Sequence, residues 1–143
     1  MKLKRKGGFL ISKIHQLSGR ILARKLKDNS VEEINPAQGR IMFVIWQNDG
    51  ISINELAKKT SLGKSTLTSM LDRLEKSGLV KRRHSLQDRR KILIIRTQKD
   101  KALQKKYDKI SREMTALFYR GFREKDIDIF ENYLEHIFHN LSK

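Results

Sequence analysis

The 143-residue chain contains no cysteine, which excludes disulfides, thiol redox sensing and cysteine-ligated metal. It has no apolar run long enough to span a bilayer. The start from Met1 to Lys6 is basic, but Phe9 to Ile11 is too short for the apolar region of a signal peptide. A soluble, cytoplasmic protein is therefore expected, with no membrane partner. Enzyme signatures are missing too. Gly63-Lys64-Ser65 lacks the earlier glycine of a phosphate-binding P-loop, and neither a metal triad nor a nucleophile beside a base can be found. No catalytic activity and no cofactor are expected. Acidic side chains are scarce, 16 against 32 Lys and Arg, for a net charge of +16. Such an excess implies a polyanionic partner, nucleic acid first and acidic membrane second.

The excess is also segregated. Residues 1–30 carry 9 basic and 1 acidic side chains and residues 52–97 carry 12 and 4, whereas residues 98–143 carry 10 and 8. Charge present only for solubility need not concentrate in an N-terminal arm and a central segment. The length fits one domain, or one domain with a dimerising extension.

Leu10, Ile14, Leu17 and Ile21 recur at helical spacing and predict a first helix from Phe9 to about Asp28. Asn35-Pro36-Ala37-Gln38 announces a second, with Asn at the N-cap, Pro at N1 and Gln reaching back. Gly39 inside it permits close packing. After a short extended piece at Ile51 to Ile53, Ser52 and Glu55 form a capping box that opens a third helix through about Thr60. Gly63 to Gly78 then reads G-K-S-T-L-T-S-M-L-D-R-L-E-K-S-G. Leu67, Met70, Leu71 and Leu74 form its apolar stripe, and Gly78 ends it. Two short helices joined by a tight turn make a helix-turn-helix. The outward face of its second helix carries Lys64, Ser65, Thr66, Thr68, Ser69, Arg73 and Lys76. Short hydroxyls suit base edges and long cations suit phosphates, as a helix lying in a DNA groove requires.

Leu79 to Ser85 and Lys91 to Thr97 are strand-like, and the hairpin they form is cationic: Lys81, Arg82, Arg83, Arg89, Arg90, Lys91 and Arg96 against Asp88 alone. Unpaired like charges across a small hairpin cost stability, so a charged partner explains them. A basic hairpin after a helix-turn-helix is a wing, and its tip arginines suit a narrow minor groove. Thr97 and Asp100 form a further capping box for a long helix to about Gly121, along which Leu103, Tyr107, Ile110, Met114 and Leu117 make a coiled-coil-like seam. A last helix follows.

The expected fold is mainly α with a small antiparallel β-wing. Residues 1–34 and 98–143 supply helices of a dimerisation region, and residues 35–97 form the winged helix-turn-helix, with its recognition helix at about 63–77 and its wing at about 79–97. The end helices offer more apolar face than one small domain covers, so a homodimer interface is expected through Leu10, Ile14, Leu17, Leu117, Ile127, Phe130, Leu134, Ile137, Phe138 and Leu141.

With N-E-L-A-K-K-T at Asn54–Thr60, S-T-L-T-S-M-L-D-R-L-E at Ser65–Glu75, G-L-V at Gly78–Val80 and D-R-R at Asp88–Arg90, the chain resembles the MarR family of bacterial transcriptional regulators. The resemblance implies a homodimeric, effector-responsive repressor on a pseudo-palindromic operator. Its recognition helices would enter consecutive major grooves of double-stranded DNA and its wing tips the flanking minor grooves. It also implies that Asp88 holds the wing-tip arginine and that Arg90, with Arg89, enters the minor groove; Arg83, read from the cationic hairpin itself, joins them as a DNA-binding candidate. A pocket for a small lipophilic or aromatic anion is implied between winged domain and dimerisation helices; His15, Phe43, Trp46 and Tyr107 are the candidates to line it. Four departures stand out: Ser85-Leu86 where the family carries Asp-Pro, Arg96 for a common leucine, Asp100 for a common glycine, and Ser69 where many members carry arginine, which leaves the base preference open.

A winged nucleic-acid or nucleoid-binding protein without operator preference would show similar charge, and the ratio of specific to random-DNA affinity separates the two. His136 and His139, spaced i, i+3, lack a third ligand, so no metal is expected.

Overall fold

The computed structural model describes residues 4–143; Met1, Lys2 and Leu3, which begin the basic arm and the 1–34 segment, lie outside the described residues. The elements run α1 (Gly7–Asp28), α2 (Pro36–Gln47), α3 (Ile53–Thr60), α4 (Lys64–Lys76), β1 (Val80–His84), β2 (Ile92–Arg96), α5 (Gln98–Phe118) and α6 (Glu124–Leu141). This is the mainly α architecture with a two-stranded wing. It divides into two compact units, Met1–Ile110 and Ser111–Lys143.

In the first unit the core is built from Ile41, Met42 and Ile45 of α2, Leu56 of α3, Leu67, Leu71 and Leu74 of α4, Val80 and Ile94 of the strands, and Leu103 and Ile110 of α5. The helix ends are fixed by local chemistry. Asn35 accepts from the Gln38 amide at 2.9 Å and its own amide donates to Gln38 Oε1 at 3.0 Å, closing the expected capping box. Ser52 Oγ accepts from the Glu55 amide at 3.2 Å. Beyond α4, the Leu79 amide donates to the Leu74 carbonyl and the Gly78 amide to the Glu75 carbonyl, both geometries of a Schellman end. Gly78 sits at φ +81°, which only a residue without Cβ adopts cheaply.

β1 and β2 pair antiparallel in the register Val80 with Arg96 through His84 with Ile92. The other edge of β2 receives the piece before α3: the Gly50 amide donates to the Ile94 carbonyl at 3.0 Å and the Ile94 amide to the Ile51 carbonyl at 2.8 Å. Gly39 lies under the Tyr107 ring, where a Cβ would stand 2.5 Å from the phenol oxygen. Close packing is thus the use of that glycine.

The seam expected along α5 has two fates. Leu103 and Ile110 are buried in the first unit's own core, whereas Leu117 is exposed. In the second unit, Tyr119 donates to Glu131 Oε2 at 2.7 Å and meets Phe118, Phe122 and Phe130 edge-on. Burial, reinforced by Glu131, pushes the Tyr119 phenol up to about 12. Phe118, Phe122, Tyr133, Ile137, Phe138 and Leu141 remain exposed, as do Phe9, Leu10, Ile11, Ile14 and Leu17 of α1.

Candidate nucleic-acid interface

The outward side chains expected of α4 (Lys64, Ser65, Thr66, Thr68, Ser69, Arg73 and Lys76) are all exposed, while Leu67, Leu71 and Leu74 anchor the opposite face. Gly63 caps the helix without a side-chain hydrogen bond, which leaves the hydroxyls of Ser65 and Thr66 and the first-turn amides open to a ligand.

The wing tip is an organised turn. Ser85 Oγ accepts from the Gln87 amide at 3.2 Å and from the Asp88 amide at 3.3 Å. This is an ST turn, the hydroxyl counterpart of an Asx turn. Asp88 in turn accepts from the Arg90 amide and Nε, each at 3.1 Å, and from its Nη2 at 3.3 Å. The Arg90 guanidinium and amide hold the Asp88 carboxyl below its usual range. Even so, the Arg90 side chain is 91% exposed, so the acid steers the arginine without burying it. Arg83 and Arg89 are exposed as well. His84 donates from Nδ1 to the Arg89 carbonyl at 2.8 Å and so braces the tip.

Two cations counted as free in the hairpin are not free, which corrects the sequence-based reading of seven like charges against one acid. Arg82 reaches back to α4, with Nη2 2.6 Å from Asp72 Oδ1 and 2.7 Å from Glu75 Oε1, and its amide donates to Glu75 Oε2 at 3.1 Å. These bonds lower the Glu75 carboxyl and raise the Arg82 guanidinium from their ordinary values. Arg96 donates from Nε to Asp100 Oδ2 and from Nη2 to Gln104 Oε1, both at 2.5 Å. Asp100 is fully buried and its other oxygen accepts from the Trp46 indole at 2.7 Å. The expected capping box at Thr97 is therefore only half made: the Asp100 amide donates to Thr97 Oγ1 at 3.1 Å, but the carboxylate is spent on Arg96 and Trp46. The two departures from the family pattern at 96 and 100 are one buried pair. A sign of it was available in the sequence, because opposite charges stand at i, i+4 where apolar or small residues are common.

The residues considered for a small-molecule pocket separate. Trp46 and Tyr107 meet edge-on at 4.9 Å, and burial raises the Tyr107 phenol, whereas Phe43 is 58% exposed and His15 is exposed. Two recesses, of about 130 and 240 Å³, are lined by Ile53, Asn54, Ala57, Lys64, Leu67 and Thr68 and by Leu10, Lys13, Ile14, Gln16, Leu17 and Arg20, and neither includes those four. His136 and His139 are exposed on α6. Among the described residues no group of three or more possible metal ligands occurs, and no helix is long and apolar enough to cross a membrane.

Known proteins share this arrangement. The MarR family model matches residues 34–92. The HTH-type transcriptional regulator TtmR of Methylorubrum extorquens is 36% identical over 76 residues, 53% of this chain and 39% of that protein. The HTH-type transcriptional repressor YetL of Bacillus subtilis is 36% identical over 97 residues, 64% of this chain and 55% of that protein. The matches thus span about two-fifths to just over half of these relatives' own length. Among solved structures, a mutant MarR from E. coli complexed with operator DNA superposes with a TM-score of 0.79 at 25% identity, covering 91% of each chain. AbfR of Staphylococcus epidermidis gives 0.79 at 26% identity, covering 96% of this chain and 92% of that one. The helix-turn-helix and wing agree with these likenesses in sequence and the whole arrangement agrees in fold, and residues 34–92 carry a MarR-family domain.

Proposed function

We propose that the protein is a sequence-specific, DNA-binding transcriptional repressor acting as a homodimer on a pseudo-palindromic site. The observation that carries this reading is the sorting of cations in the α4–wing segment. Arg82 and Arg96 are neutralised by acids of the fold, whereas Arg73, Lys76, Lys81, Arg83 and Arg89 are exposed and take part in no ion pair among the described residues. Fixed charge left unneutralised beside outward hydroxyls is what phosphate and base contacts need. The exposed apolar residues of α1 and α6 support a second copy as their cover. Two copies would set their recognition helices one helical turn, ~10 bp, apart, and a bound dimer would obstruct polymerase. A small aromatic anion could regulate such a dimer only by favouring one spacing of the recognition helices over another.

Selection of duplexes from a random pool, followed by footprinting and affinity measurement at fixed salt, tests the reading. A preferred two-fold site bound roughly a thousandfold more tightly than random duplex is expected, with a dimer in sedimentation. Equal affinity for every duplex would reduce the protein to a general polyanion binder.

A further inference from the structure

We propose that Leu86 is a minor-groove contact, an apolar side chain that the wing tip presents to the floor and sugar walls of the groove, and that it favours A·T base pairs there. This rests on the DNA-binding reading above. Leu86 is 100% exposed, more than any other large hydrophobic residue described as exposed. The other strongly exposed apolar residues lie mostly on the helical faces of α1 and α6, where neighbours of the same kind surround them. Leu86 instead stands alone between Ser85 and the polar run Gln87-Asp88-Arg89-Arg90.

Nor is it a loose side chain on a loose turn. The Ser85 amide donates to the Lys91 carbonyl and the Lys91 amide to the Asp88 carbonyl, each at 2.9 Å. Together with the Ser85 hydroxyl taking two amides, these bonds hold residue 86 outward. A turn that served only to reverse the chain would do so with the usual small or polar residues. A leucine left wholly in water gains nothing from folding, so its apolar surface is available to a partner.

The surroundings say which partner. Arg89, Arg90 and Lys91 follow within five residues and are exposed, a cation set suited to the walls of a narrow groove. Between such cations an apolar tip meets the groove floor, and leucine is among the side chains that enter minor grooves as wedges. An A·T pair offers only acceptors on that floor, whereas guanine adds an amino group projecting into it. A branched apolar tip fits the first and collides with the second.

The test uses the full chain and the duplex that the unmodified protein selects, made with A·T or G·C pairs at the positions its wing protects. Leu86→Ala and Leu86→Asn should weaken binding to the A·T form by roughly five- to tenfold, the effect of removing part of a buried leucine. They should erase the A·T preference and leave the slope of affinity against salt unchanged, since no phosphate contact is lost. Leu86→Met should retain most of both properties. If Leu86→Asn matches the unmodified protein on both duplexes, the inference is wrong while the DNA-binding reading stands. If the unmodified protein prefers no duplex, both fall. A lowered unfolding midpoint in Leu86→Asn would assign the leucine to packing and overturn the proposal. Loss of binding to phosphatidylglycerol vesicles without loss on DNA would assign it to a membrane and overturn it equally.

Discussion

The two ends of the wing each place an arginine on a carboxylate, one pair at its root and one at its tip. At the root, Arg96 is 11% exposed and Asp100 not at all, and Trp46 and Gln104 complete the bonding. At the tip, Arg90 on Asp88 is almost wholly in water. Water decides the difference in role. Buried and fully hydrogen-bonded, the root pair joins β2, α2 and the start of α5, and removing one member strands the others. Solvated, the tip pair contributes little to stability and instead holds a guanidinium where a ligand can take it.

The comparison can be broken at either end. The largest effect is expected at the root: Asp100→Ala leaves Arg96 and the Trp46 indole without their acceptor and should lower unfolding stability by about 3–5 kcal/mol in urea titration. Arg96→Leu combined with Asp100→Gly removes both charges together and should cost less than either single change; an equally severe double variant would show that the pair itself does not set the cost. At the tip the readouts exchange. Arg90→Ala should leave the unfolding midpoint where it is and weaken operator binding by roughly ten- to a hundredfold at fixed salt. Unchanged affinity would remove Arg90 from the interface.

The smallest effect belongs to the intermediate case. Arg82 is half-buried between Asp72 and Glu75, and Arg82→Gln should cost about 1 kcal/mol, reduced by the exposure of its partners. Because the folded state lowers the Glu75 carboxyl, the unfolded chain takes up this proton first as pH falls. The contribution is therefore complete above the ordinary value of 4.5 and disappears as pH drops from there through the lower folded value. Acid titration of both proteins should show their stabilities converging over that range; a constant gap would refute the linkage.

Much of the fold was legible because its signals are local. The box at Asn35 and Gln38, the glycine after α4 and the β-branched run of β2 each act within a few residues. The outward face of α4 was legible for the same reason, since one helix's period fixes which side chains share a side. Pairing between elements was not. Trp46 and Asp100 stand 54 positions apart, so no spacing rule joins them. Counting cations likewise cannot tell Arg82 and Arg96, which acids of α4 and α5 neutralise, from Arg83 and Arg89. The seam on α5 shows a related limit, because periodicity marks an apolar face without saying what covers it: Leu103 and Ile110 are covered within the first unit.

The strand β2 is hydrogen-bonded along both edges, to β1 on one side and to Gly50 and Ile51 on the other, immediately before the chain enters α3. The hairpin is thus a stiff stylus rather than a tether. Its reach from α4 is set when the protein folds, so little ordering entropy would remain to be lost on binding the proposed duplex.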